Sequence, residues 1–400
     1  MIRLKDTRYP TTAEFLASAI RVAEYYGFSP LEEIPKASAD TRRTLSNLNE
    51  VDIAFARRDE RALLSAARKC LSCMRPNHGV LLAWRIVQNT TGVPSVSFEL
   101  HIVGASSTIA DALLIVVAHA IAEGAGIKER VLSINNIGSS ESSGRYIRDI
   151  GLYLRKHLET ISPTLRPRAA EDPLGTLVQL IERGHPAVPR APQAMEYLTE
   201  DERSTFWELL EYLEMFGLPY ELDPQILGSR ECWAHSLFQV HALDPETGAR
   251  MELAFGGRYD ALASRVAKKP SPAVTISIVC EVRGNTKPKR ENWGAPSIYF
   301  AQLGDEARRR SLSVLETLRD AGIPVHQGLW FERIGEQMAA ASEMRVPYVL
   351  IMGHKEAMEN SIIVREIATN SQDAVPLSEL NGYLKRRRVF GTPQLSPVRG

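Results

Sequence analysis

The side chains in this sequence best suited to chemistry are four arginines on or beside strand-like segments. Arg85 lies within LLAWRIVQN, Arg230 within SRECWAHSLFQ, Arg258 within GGRYD and Arg283 just past TISIVCEV. A guanidinium is a permanent planar cation with five donors, so it suits phosphate and carboxylate oxygens. Arg85 sits among apolar residues and needs an acceptor once buried. A bound phosphate and a structural carboxylate such as Glu99 both meet that need. Arg258 and Asp260 flank Tyr259 at a strand end. They can pair locally, with Gly256 and Gly257 allowing close backbone approach, or Arg258 and Tyr259 can face a ligand.

Three other features carry chemical potential. Cys70-x-x-Cys73 has His78 nearby but no second cysteine pair, and it falls on a helical pattern. The reading is a core-facing helix and no metal. Asn135 to Arg145 forms a polar strand-to-helix loop. Such a helix start can hold an anion, and N-capping by Ser142 or Ser143 is the simpler account. Basic residues cluster at Arg308, Arg309 and Arg310, and again at Lys385, Arg386, Arg387 and Arg388. Phosphate contacts need only clustered cations, so these two runs are the RNA-binding candidates.

Regular elements must position these residues. Apolar spacing predicts helices over 12–27, 59–74, 107–125 and 199–217. Two strands joined by NTTGVP fill 79–103, and four alternating segments fill 219–282. Hairpin signals between them predict an antiparallel sheet. A proline-rich stretch over 160–192 belongs to a helical insertion at about 160–215. After a polar linker at 285–296, strands and helices alternate, which predicts a small α/β domain. The expected organisation is a first domain over 1–290, a second over 291–385 and a basic disordered tail over 386–400.

Composition narrows the function classes. The 400 residues include 48 basic and 48 acidic side chains, so no global field steers the chain to nucleic acid or a membrane. An apolar fraction of 44% is ample for sizeable cores. The N-terminus has no apolar signal core. The longest apolar stretch, IADALLIVVAHAIAEGAG, is interrupted by Asp111 and His119 and falls short of the ~20 residues a bilayer requires. Four cysteines make no disulfide framework, which favours a reducing cytoplasm.

Several segments together resemble one family. GGRYDALASRV followed by PSPAVTISIV resembles the glycine-rich strand, and the strand leading to the third class motif, of class II histidyl-tRNA synthetases. FWELLEYLEMFGLPYELDPQI resembles the helix and strand before that family's histidine-binding segment. VLETLRDAGIPVH, RIGEQMAAASEMRVPYVLIMGHKEAMENSIIVREI and VPLSEL resemble its C-terminal anticodon-binding domain. The resemblance spans about 12–385. It implies an α+β fold with a class II synthetase-like antiparallel sheet flanked by helices and a C-terminal α/β domain that touches tRNA. It also implies a homodimer, and ATP with magnesium if the chemistry survives.

Carried over residue by residue, most of the family's motifs are altered. Arg85 matches the motif-two arginine that holds the α-phosphate, but Val87 stands where a glutamate is expected. The glutamine and glutamate of the returning strand fall on Ser97 and His101, with Glu99 expected on the other face of that strand. The only counterpart of the family's pocket-lining arginine–proline–glutamate–glycine–threonine segment is Arg75-Pro76-Asn77-His78-Gly79. In the histidine-binding segment the arginine position is Gly228 and the tyrosine pair is Cys232 and Trp233, leaving Arg230 two residues away. Motif three becomes Val279-Cys280-Glu281-Val282, with Arg283 one place late. The ATP or substrate candidates are therefore Arg85, Glu99, Arg230, Arg258, Tyr259 and Arg283, with Arg85 and Arg283 the catalytic ones if the chain is active.

A guanidinium missing from a reacting phosphate costs ~2–4 kcal/mol of transition-state stabilisation. Losing several leaves little activation. The first expectation is a non-catalytic histidyl-tRNA-synthetase-like protein that binds tRNA or a protein partner. The second is a divergent, active histidine–tRNA ligase with its pocket rebuilt around Arg230, Arg283 and Glu99. The third is a regulatory subunit resembling the synthetase-like partner of ATP phosphoribosyltransferase, a family that usually lacks the C-terminal domain.

Overall fold

The alternating segments before residue 285 join one mixed sheet. The computed structural model describes residues 1–387 except 40–42, 50–52, 54, 56, 58–59, 75–78, 90–91, 245–246, 291–292 and 294–295. Residues 75–78 of the arginine–proline segment, and Arg388 with the rest of the expected tail, lie outside the described residues.

The first sheet contains β1 (Ser29–Pro30), β2 (Leu81–Asn89), β3 (Ser95–Val103), β4 (Arg130–Asn136), β5 (Tyr220–Leu222), β6 (Ala234–Leu243), β7 (Arg250–Arg258) and β8 (Ala273–Glu281). Its order is β1-β2-β3-β8-β7-β6-β4-β5. The six long strands pair antiparallel, and the short edge strands β1 and β5 pair parallel. β2 and β3, which flank the NTTGVP segment, pair antiparallel with Arg85 directly opposite Glu99. Every residue of β3 is buried. The apolar helix Ile109–Gly124 packs on β7 and β8, and helix Glu60–Cys73 packs on β3. Among the described residues no helix is long and apolar enough to cross a membrane.

Gly256 and Gly257 let β7 run close between its neighbours. A Cβ on Gly256 would meet the Thr275 carbonyl oxygen at 2.2 Å and Ile276 Cα at 2.8 Å. Just beyond, Arg258 is 5% exposed. Its Nη2 lies 2.6 Å from Asp111 Oδ2 and donates to the Ser107 carbonyl at 2.9 Å, while Nη1 donates to the Ala105 carbonyl at 3.1 Å. The local Arg258–Asp260 contact is longer, at 3.9 Å. Asp260 instead accepts from the Ala273 amide at 2.7 Å. The carboxylate that secures Arg258 thus comes from a distant helix.

Two local expectations change. The alternating run beginning at Glu231 enters the sheet only at Ala234, because the chain first turns through Ser229–Trp233. His235 then takes φ 55° where the register with β7 shifts. The polar loop before helix Ser140–Lys156 already contains an anion, supplied by the chain. Glu202 accepts from the Ser139 amide at 2.6 Å, the Ser142 hydroxyl at 2.7 Å and the Thr199 amide at 2.8 Å. Burial alone would push this carboxyl up, but hydrogen bonds from Ser142, Thr199 and Ser139 outweigh it and hold it at about 2.

The described residues divide into two compact units. The first lies within 1–16, 29–210 and 219–287, and the second within 17–28, 211–218 and 288–387. In the second, β9 (Ile298–Gln302), β10 (Val325–Gln327), β11 (Tyr348–Met352), β12 (Ser361–Glu366) and β13 (Gln372–Pro376) form a sheet of order β10-β9-β11-β12-β13. β9 pairs parallel with β10 and β11, and β12 pairs antiparallel with both β11 and β13. Buried Gln337 fastens helix Ile334–Glu343 to this sheet. Its side chain accepts from the Gln302 amide at 3.0 Å and donates to the Gln302 carbonyl at 2.7 Å. The last turns of helix Thr12–Tyr25 join this unit, where the Tyr25 hydroxyl donates to the Leu315 carbonyl at 3.0 Å.

Gly256→Ala is expected to lower the urea midpoint by the equivalent of about 1–3 kcal/mol, since the sheet must open to admit a methyl group. A second measurement concerns Glu202. Its folded value of about 2 lies below the ordinary 4.5. Its stabilisation is therefore complete above pH 4.5 and lost as pH falls towards 2. The gap in melting temperature between wild type and Glu202→Gln is expected to be full at pH 7 and to close across that acidic window.

Candidate functional site: an arginine-rimmed cleft

One face of the first sheet lines a 1240 Å³ cleft within the first unit. Period-two alternation places Ser97, Glu99 and His101 of β3 on this face, beside Thr275 and Ser277 of β8. Glu99 therefore does not point away from Ser97 and His101. These residues are two apart, and an even step along a strand preserves the face. Trp233 and Phe255 add an aromatic wall, packed edge to face at 5.4 Å. Arg57, Arg61, Arg168 and Arg183 also line the cleft.

At the floor, three polar side chains satisfy one another. Arg85 is 4% exposed. Its Nε donates to Glu99 Oε2 at 2.6 Å, and Nη2 donates to the Ala62 carbonyl at 3.2 Å. His101 Nε2 lies 3.2 Å from the same Glu99 oxygen. Burial pushes the Glu99 carboxyl up, but the His101 hydrogen bond and the adjacent Arg85 cation more than offset this and hold it below the usual range. Burial lowers His101, against the raising effect of Glu99, and because a carboxylate oxygen only accepts, the hydrogen between them sits on His101 Nε2. His101 Nδ1 is buried without a hydrogen-bond partner.

The six sequence-derived candidates do not converge. Glu99 lines the cleft. Arg85 lies behind Glu99, tied to it. Arg258 is secured to Asp111. Tyr259 is fully buried and packs edge-on to His101 at 6.1 Å. Arg230 and Arg283 are exposed and lie outside the cleft lining. Arg283 follows the end of β8, where its backbone amide donates to the Thr12 hydroxyl oxygen at 2.7 Å.

The cleft's arginines and aromatics were not selected by sequence pattern. Arg57, Arg168 and Arg183 fall in polar or proline-rich stretches without periodicity. Trp233 had a local signal, since an indole beside a charged turn needs an acceptor. That acceptor is fully buried Glu60, which receives the Trp233 Nε1–H at 3.0 Å and the Ser229 amide at 2.7 Å. Cys70 and Cys73 lie buried in helix Glu60–Cys73, and burial pushes the Cys70 thiol up to about 12. Among the described residues, no cluster of three histidine, cysteine or carboxylate side chains could hold a metal.

The RNA candidates of the second unit differ in availability. Arg309 reaches Glu306 at 2.8 Å and Glu211 at 3.0 Å. Arg310 donates to Asn360, and Arg308 is half-buried. Arg387 pairs with Asp373 at 2.8 Å, whereas Lys385 and Arg386 are exposed.

Comparison with known proteins adds independent information. Residues 297–387 match the family model described as an anticodon binding domain. The histidine–tRNA ligase of Symbiobacterium thermophilum is 30% identical over 295 residues, covering 72% of this chain and 68% of that protein. Histidine–tRNA ligase 1 of Shouchella clausii is 28% identical over 297 residues, covering 73% and 70% respectively. The apo S. aureus histidyl-tRNA synthetase structure is 20% identical, with a TM-score of 0.42 over 78% of each chain. The identity to the Symbiobacterium enzyme, sustained over two thirds of its length, shows that this chain belongs to the histidine–tRNA ligase family.

Proposed function

We propose that this chain is a family member that does not activate histidine with ATP and that binds tRNA through residues 297–387. The observation supporting the first part is the Arg85–Glu99 contact at 2.6 Å. The resemblance assigns Arg85 to a substrate phosphate. Recruiting it there would leave the Glu99 carboxylate buried without its cation. Breaking one side of such a pair is strongly destabilising, by ~3–5 kcal/mol. Arg230 and Arg283, which an active pocket would have to recruit, stand outside the cleft. The active-ligase reading therefore has no comparable geometric support.

Magnesium does not fit the cleft's donor set either. It favours octahedral oxygen ligation, commonly one or two carboxylates with substrate phosphates. Glu99 is already engaged, and Glu182 and Glu252 project from other elements without forming a three-group cluster.

The matched C-terminal domain supports the RNA-binding part. Lys385 and Arg386 are two exposed cations at the end of helix Leu377–Arg386. Arg309 and Arg387 already face carboxylates, so their contribution to RNA binding is smaller. The homodimer, an additional protein partner, the first-domain boundary near residue 290 and a cytoplasmic location belong to the same proposal, on the strength of the resemblance.

Histidine-dependent pyrophosphate exchange at micromolar protein is expected to stay at background; clear exchange would overturn the non-catalytic reading. Filter binding with tRNA is expected to weaken steeply as salt rises. Lys385→Ala with Arg386→Ala should reduce the logarithmic salt slope by about 1.4–1.8, following roughly 0.7–0.9 per lost phosphate contact. Salt-independent retention, or no retention, would remove the RNA-binding reading.

A further inference from the structure

We propose that the cleft binds a small organic anion lacking an ammonium group, held by Arg61 and Arg183. The proposal rests on the non-catalytic reading above and gives that same site a ligand class.

An ammonium group needs an available carboxylate or several neutral acceptors. Glu99 is the carboxylate at the cleft floor, but its Oε2 already receives Arg85 at 2.6 Å and faces His101 at 3.2 Å. Its charge is answered from within the protein. Glu252 faces Arg57 at 3.7 Å and also accepts from the Gln239 side chain. The remaining lining carboxylate, Glu182, is exposed.

The cations show the opposite balance. Arg57 is engaged by Glu252 and lies over the Phe255 ring at 3.7 Å. Arg168 pairs with Asp172 at 2.9 Å. Arg61 and Arg183 are exposed and have no carboxylate partner among the described residues. Among the described residues, Arg61 faces the Phe55 ring, at 5.9 Å from its guanidinium carbon. Two open guanidinia thus face the cleft from helix Glu60–Cys73 and from just beyond helix Pro173–Glu182. Such groups bind carboxylate or phosphate oxygens bidentately. The 1240 Å³ volume accommodates a ligand of nucleotide size. An ammonium near these arginines meets two open cations against the single open carboxylate of Glu182, so the balance of charge still favours an anion.

Isothermal titration calorimetry can separate ligand charge from ligand shape. Histamine, histidine and imidazole-4-acetate provide a cationic, a zwitterionic and an anionic imidazole. Citrate and AMP provide carboxylate and phosphate probes without that ring. At least one ammonium-free anion is expected to bind tenfold or more tightly than histidine, and histamine should give no binding heat. The relative responses to citrate and AMP distinguish carboxylate from phosphate recognition. Arg61→Ala with Arg183→Ala is expected to weaken the preferred anion at least tenfold without changing the melting temperature, since both side chains are exposed. Histidine binding as tightly as every anion, no anion binding, or an unchanged affinity in the double variant would overturn the proposal. Pyrophosphate exchange measured on the same preparation keeps the readings distinct: exchange defeats the non-catalytic reading, whereas absent exchange with absent anion binding defeats only this ligand assignment.

Discussion

The buried pair between Arg258 and Asp111 is the charged constraint around which the first sheet is organised. Arg258 closes β7, while Asp111 lies in the first turn of the apolar helix behind the sheet. Arg258 also donates to two carbonyls preceding that helix. Apolar packing can hold a helix against a sheet but leaves its sliding position weakly specified. A charged hydrogen-bond set with fixed donor directions defines that position. Gly256 and Gly257 are needed immediately before it, because β7 must pass close to its neighbours as it delivers the guanidinium. The short GGRYD sequence therefore joins backbone approach, charge placement and helix docking.

Arg85 and Glu99 form another buried pair, but their position on adjacent strands gives them a different consequence. They neutralise the floor of a cleft rather than secure a helix. His101 joins through the same carboxylate oxygen. The arrangement makes the floor polar without leaving an open negative charge. An acidic side chain at a plausible sequence position is thus insufficient to establish recognition of a positive group. Its hydrogen-bond partners determine whether its charge is available.

Much of the architecture was legible because it depends on repeated, local patterns. Alternation identified the strands, the NTTGVP turn joined β2 to β3, and apolar spacing marked the principal helices. The possibility of an Arg85–Glu99 pair was also visible, although sequence alone left it beside phosphate binding. Other features depended on three-dimensional partners. Asp111 precedes Arg258 by 147 positions, so no local pattern announces their pairing. Arg57, Arg168 and Arg183 occupy stretches whose polarity resembles ordinary surface. The expectation for Glu99 fails for a simpler reason: residues two apart on a regular strand share a face.

The Glu202 carboxylate has a consequence for folding order. It completes the start of helix Ser140–Lys156 while also capping its own helix through Thr199. The groups brought together are separated by 63 positions at Ser139 and 60 at Ser142. The earlier helix can form its internal turns first, but its entrance acquires this partner only when the later segment docks. Closing the intervening chain carries an entropic cost, repaid at both helix starts together. A single side chain thereby ties the starts of two helices, far apart in sequence, to one another.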